Sequence, residues 1–119
     1  VLPAGPSGLC VGGDESAPVT RVAVLGGAGD SALEAARAAG VDVYLTADLR
    51  HHPASEHLEG GAPALLCGSH WATESPWLPV LARKIRQAAR SADVELRVEV
   101  STIVTEPWTG HRVTQGELA

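Results

Sequence analysis

The chain contains no Met and no Phe, one Tyr, three Trp and two Cys in 119 residues. The shortage of aromatics makes Trp71, Trp77 and Trp108 the largest side chains, better suited to anchor a core or an interface than to stack bases. Cys10 and Cys67 are too few and too far apart for a CxxC redox or zinc motif, and Cys67, closing the apolar run Ala64–Leu66, reads as a buried thiol in a strand. Basic residues are also scarce, nine Lys and Arg against 14 Asp and Glu, for a net charge of −5. Without a basic face, nucleic acid and anionic membrane are poor partners. A phosphate-bearing small molecule stays open, because a bound metal can supply positive charge. No apolar run approaches the ~20 residues of a membrane span, and no opening segment reads as a signal peptide. These absences point to a cytoplasmic protein with reduced thiols. With Val1 first and no Met, the chain reads as processed or as a piece of something longer.

What is present is the size of one domain with a single core. Residues 1–20, rich in Gly, Pro and Ser, read as a linker with at most a short strand near Leu9–Val11. From Arg21 the pattern is regular: Val22–Leu25, a Gly-rich turn, a helix opened by the capping-box spacing of Ser31 and Glu34 and ended by Gly40, then Val41–Thr46. The order repeats with a short helix over Pro53–Leu58, a strand at Ala64–Cys67 and a helix from Leu78 to Arg90. Val94, Leu96, Val98 and Val100 alternate with polar residues, which predicts a final strand near an edge with one wet face. The class is therefore α/β, a layered fold with a mostly parallel sheet flanked by helices over residues 21–109 and a loose tail over 110–119.

Ligands of such sheets bind beyond the carboxyl ends of the strands. Three segments fall there, Gly26–Ser31, Asp48–Pro53 and Gly68–Glu74, and four of the five histidines lie in or just after the last two. His70 and Glu74, four apart, can share one face of a helical turn and converge on one point, a donor pair that suits Zn, Fe, Mn or Co; the bland alternative is a chance surface pair. Pro76 and Pro79 separate that turn from the next helix. His51 and His52 can serve as general acid–base or supporting groups, or be solvated histidines at a helix entry. The turn containing Gly27 and Gly29 can offer backbone N–H groups to an anion, or be a plain tight turn. With Asp48, these two glycines are the candidate substrate-binding residues.

Four segments, Arg21–Ser31, Thr46–His52, His70–Glu74 and Val100–Thr109, together resemble the C-terminal half of the Nif-three-like family, in its actinobacterial form. Its members are dinuclear metal-centre proteins labelled GTP cyclohydrolase I type 2 homologues. The resemblance implies one half of a duplicated α/β fold, a hexameric ring with inward-facing sites, and two divalent ions per complete site. It also implies that the missing N-terminal half supplies a His-His pair and an Asp as ligands, while this chain supplies His70 and Glu74. His51 and His52 belong to a different motif and are read as site-lining, catalytic candidates rather than ligands. The implied activity is metal-dependent hydrolysis of a nucleotide or another phosphate-containing small molecule. The rival is a non-catalytic, ring-forming metal-binding or regulatory protein acting through partners; the fragment alone would suggest a metal-free α/β binding module.

Overall fold

Apolar runs become strands here and the residues between them helices, and each boundary has a local cause. The computed structural model describes residues 2–112. In chain order the elements are β1 (Cys10–Gly12), β2 (Val22–Ala28), a 3-10 turn (Asp30–Ala32) leading into α1 (Leu33–Ala38), β3 (Val43–Ala47), α2 (His51–Glu59), β4 (Ala64–Gly68), α3 (His70–Glu74) and α4 (Trp77–Ser91). The strands form one sheet in the order β1-β4-β3-β2. β2, β3 and β4 are parallel, and β1, the short strand of the Gly/Pro-rich opening segment, lies antiparallel on β4. The fold is α/β as expected, with a mixed sheet.

The capping box read from Ser31 and Glu34 is not used. Neither the 3-10 turn nor α1 has a side-chain cap; instead the Ala32 N–H donates to the Gly29 carbonyl at 3.1 Å. Asp30 is engaged elsewhere, accepting from the Arg50 backbone N–H at 3.2 Å and pairing with its guanidinium. α2 begins at His51, ahead of Pro53, because the proline falls in the first turn, where an N–H has no helical partner to lose. Pro79 occupies the same kind of position in α4.

The core gathers on one face of the sheet. Ala23, Tyr44 and Leu65 lie side by side across β2, β3 and β4, and Leu33, Ala36, Tyr44 and Leu65 are all at most 6% exposed. Leu49, Ala54 and Leu58 pack against them from the α2 side. Burying one such leucine contributes about 1.5–3 kcal/mol. The neighbouring row, Val11, Leu66, Leu45 and Val24, points to the other face. Its two ends are bare, Val11 at 46% and Val24 at 67% exposure.

The strand expected at Val94–Val100 does not form; residues 94–112 carry no regular element. The Val94 N–H bonds to the Ala89 carbonyl at 2.9 Å, and the Arg86 guanidinium donates to the Val98 carbonyl at 2.6 Å. The segment therefore turns back along α4, with Val98 and Val100 half-buried and Val94 and Leu96 exposed. Alternation marks a chain with one covered face, but a strand also needs a partner strand, and no described strand pairs with this one. The apolar stripe of α4 is correspondingly incomplete: Leu78 and Ile85 are exposed and only Ala82 is buried. The radius of gyration, 17.7 Å, exceeds the about 13–14 Å of a compact chain of this length. No described helix is long and apolar enough to cross a membrane.

Candidate metal site

Two parallel strands end in polar residues at the same end of the sheet. Asp48 follows β3 directly, in the left-handed region at φ 52° that Asp tolerates better than most residues. Ser69 follows β4, and its hydroxyl accepts from the Ala72 N–H at 3.3 Å, which starts α3 at His70. The single helical turn then stacks Glu74 over His70.

His70 is held between two carboxylates. Its Nδ1 lies 2.6 Å from Asp48 Oδ2, and its Nε2 lies 3.2 Å from Glu74 Oε1. Asp48 fixes the ring by accepting from Nδ1–H, so Nε2 faces Glu74 and the cavity beyond. The hydrogen bond to Asp48 raises the His70 pKa above its ordinary value; partial burial opposes this and the negative charge of Glu74 assists it. Thr73 ties the turn to the sheet, its hydroxyl donating to the His70 carbonyl and accepting from the Gly27 N–H, both at 2.9 Å.

Gly27 has φ +79°, and a Cβ there would stand 2.6 Å from Glu74 Oε1 and 3.2 Å from His70 Nε2. Glycine is required at this position by both backbone and space. The Gly29 N–H donates to the Ala47 carbonyl at 3.2 Å, while the Thr46 and Tyr44 hydroxyls donate to the Gly27 and Gly29 carbonyls at 2.9 and 3.0 Å. The backbone N–H groups of Gly27 and Gly29, the candidate anion cradle, are thus spent on internal bonds. In this structure the turn braces β2 against β3 and α3.

A cavity of about 480 Å³ opens over the His70 ring, bordered by Asp48, Trp71, Glu74, Glu106 and Trp108. Among the described residues, no Lys or Arg lines it. Glu106 Oε2 is buried and has no hydrogen-bond partner among the described residues. His51 and His52, by contrast, are exposed on the first turn of α2, ring against ring edge at 5.4 Å, and do not line the cavity. His57 is structural: it is 4% exposed, with Nε2 3.0 Å from the Pro63 carbonyl oxygen. Of the histidines clustered in the sequence, only His70 reaches the cavity. Asp48 belongs to the site as the partner of His70. Glu106 was not singled out by spacing, because it comes from the irregular segment. Cys67, expected as a buried thiol, is half-buried on the cavity wall beside Cys10.

The donor set suits a divalent ion in part. Two ligands of one ion, with bonds of about 2.0–2.2 Å and near-tetrahedral to octahedral angles, stand about 3 Å apart, and His70 Nε2 and Glu74 Oε1 are separated by 3.2 Å. Among the described residues, no group of three or more His, Cys, Asp or Glu could hold an ion by itself. Asp48 is committed to the far side of the imidazole, which leaves His70 and Glu74 as the two candidate donors.

The profile of Duf34/NIF3 (NGG1p interacting factor 3) matches residues 4–107. The chain belongs to the Duf34/NIF3 family. Similar relatives include a Streptomyces coelicolor protein named GTP cyclohydrolase 1 type 2 homolog, 51% identical over 92% of this chain and 39% of that protein. A Mycobacterium tuberculosis protein of the same name is 47% identical over 90% of this chain and 27% of its own length. Among solved structures, a Bacillus cereus protein related to NIF3 matches with a TM-score of 0.75 and 26% identity, over 85% of this chain and 27% of that one. A Staphylococcus aureus protein matches at 0.77 and 26%, over 90% and 33%. This Duf34/NIF3 chain therefore spans well under half the length of these relatives.

Proposed function

We propose that His70 and Glu74 are two ligands of a divalent-metal site completed by residues outside this chain, with Asp48 orienting His70. The observation that carries this reading is the 2.6 Å contact of Asp48 with Nδ1, which leaves Nε2 facing Glu74 at 3.2 Å. A carboxylate behind the ring is the common support of a metal-ligating imidazole. The relatives' name, GTP cyclohydrolase 1 type 2 homolog, supports assigning the complete protein to metal-dependent hydrolysis of a nucleotide or another phosphate-containing small molecule. Zn, Fe, Mn or Co bound there would supply Lewis acidity and the positive charge that the lining lacks.

The chain's own residues then have distinct tasks. Asp48 keeps the proton on Nδ1, so that Nε2 presents its lone pair. Trp71 and Trp108 wall the cavity against water. The Glu106 carboxylate borders the cavity and is placed to accept an N–H or O–H of the substrate through its outward oxygen. His51 and His52 are assigned to proton transfer or substrate holding, which requires the substrate to reach past Asp48 from the cavity. The exposed Val11, Val24, Trp77 and Leu78 support a further reading, that the rest of the protein and neighbouring copies in a ring cover these surfaces.

One observation favours the non-catalytic alternative, a metal-binding protein acting through partners: among the described residues, the cavity offers a phosphate no Lys or Arg. Elemental analysis and a substrate screen on the full-length protein separate the readings. Bound metal with turnover, both lost in His70→Ala, supports the hydrolase; bound metal without turnover supports the alternative; no bound metal after reconstitution overturns both.

A further inference from the structure

Cys10 and Cys67 are directly opposed across β1 and β4. Directly opposed residues of antiparallel strands project to the same face, with Cα and Cβ separations both about 4.5–5.5 Å. A disulfide spans about 4.4–6.8 Å between Cα atoms and about 3.5–4.5 Å between Cβ atoms, so closure asks for a Cβ approach on the order of 1 Å. β1 can supply it. It is three residues long, lies at the sheet edge, and sits between Gly8 at φ +67° and Gly13 at φ +114°.

Both thiols are free, Cys10 exposed and Cys67 half-buried. Among the described residues, the Cys67 thiol has one weak hydrogen-bond contact, 3.9 Å to the Gly68 carbonyl. Together the two border the cavity over His70 and a second cleft beside Leu49, Ala54 and Leu58. An oxidant arriving from solvent meets Cys10 first and finds a second thiol alongside.

We propose that Cys10 and Cys67 are a modification site: a dithiol that a peroxide converts to a cross-strand disulfide. The Cys10 thiolate attacks one oxygen of hydrogen peroxide, the O–O bond breaks, and the departing hydroxide takes up the thiol proton as water, leaving Cys10 as a sulfenic acid. The Cys67 sulfur then attacks the Cys10 sulfur, forming the S–S bond and expelling hydroxide, which takes up the Cys67 proton as a second water. Two thiols and one peroxide give one disulfide and two waters; sulfur loses two electrons and the peroxide gains them. A small dithiol reverses the step. The bond ties the segment that carries Ser7 and Gly8, one wall of the cavity, to the strand that leads into Ser69 and His70.

The test is peptide mapping of the full-length protein after treatment with an equivalent of hydrogen peroxide and alkylation. The expected result is a Cys10–Cys67 linked peptide within one chain, lost on reduction, and absent in both Cys10→Ser and Cys67→Ser. Cys10→Ser alone suffices should the Cys67 variant fold poorly, since Cys10 is exposed. The proposal is overturned if both cysteines stay alkylatable, if each oxidises to sulfinic acid without pairing, or if the only linkage joins two chains. None of these readouts depends on a metal at His70.

Discussion

The loops after β3 and β4 leave the sheet at the same end, each carries histidine within a few residues, and each opens a helix. Their histidines nevertheless differ in kind. His51 and His52 are exposed to solvent, one ring edge against the other. His70 is fixed from one side by Asp48 and faced from the other by Glu74, under a glycine that leaves room for both. Position beyond a strand brings a residue to the mouth of the fold; partners decide where its ring nitrogens point. Asp48, supplied by one loop, is spent on the histidine of the other, so the two loops make one site rather than two.

The largest effect that tests this contrast is loss of metal. In the full-length protein, His70→Ala or Glu74→Ala should remove at least one equivalent of bound metal by elemental analysis, with circular dichroism unchanged because α3 rests on apolar and capping contacts. Equal metal content in variant and parent would erase the distinction between the loops. Next comes Gly27→Ala. It places a side chain at φ +79° and against Glu74, costing about 1–3 kcal/mol of backbone strain, and should both lower Tm and weaken metal binding in titration. An unchanged Tm would mean that β2 relaxes freely around the site.

Asp48→Asn should weaken metal binding by about 10–100-fold, the usual cost of losing a carboxylate behind a ligating imidazole. It should also return the His70 pKa toward its ordinary value, read by NMR titration, because the Asp48 hydrogen bond is the main cause of the rise. The sign of the pH dependence follows from that raised pKa. In the metal-free protein the protonated ring contributes stability fully present below the unfolded pKa of about 6.5 and lost as pH rises through the higher folded value. The same proton competes with a metal for Nε2, so metal binding should weaken as pH falls through that value. Both transitions should move to lower pH in Asp48→Asn. The smallest effect is expected at the other loop. His51→Ala and His52→Ala should change stability by no more than about 0.5 kcal/mol and leave metal content intact while reducing turnover; loss of metal would make that histidine a ligand.

Much of the fold was legible because parallel strands with no exposed residue on either face read as continuous runs, as Val43–Ala47 and Ala64–Gly68 do. The separate turn at His70–Glu74 was legible too, from two prolines and a four-residue spacing. The final strand failed because alternation at Val94–Val100 reports one covered face without saying which element covers it, and here α4 does so for Val98 and Val100. The Asp48–His70 pair was hidden since its members are 22 positions apart and meet only once β3 and β4 are aligned. Glu106 was hidden for a related reason: it reaches the cavity from a segment with no periodicity to anchor a prediction.

The outer edge of β2 carries one more consequence. Nothing among the described strands pairs with it, and Val22 and Val24 are exposed on it at 52% and 67%. A row of unpaired amides and carbonyls beside apolar side chains is a template for adding strands from other molecules. On its own, this chain should therefore have a colloidal limit set before its thermal one: at rising concentration it should pass into sheet-rich aggregates under conditions where its core is still folded. A charged residue at Val24 would postpone that passage more effectively than any repair of the core.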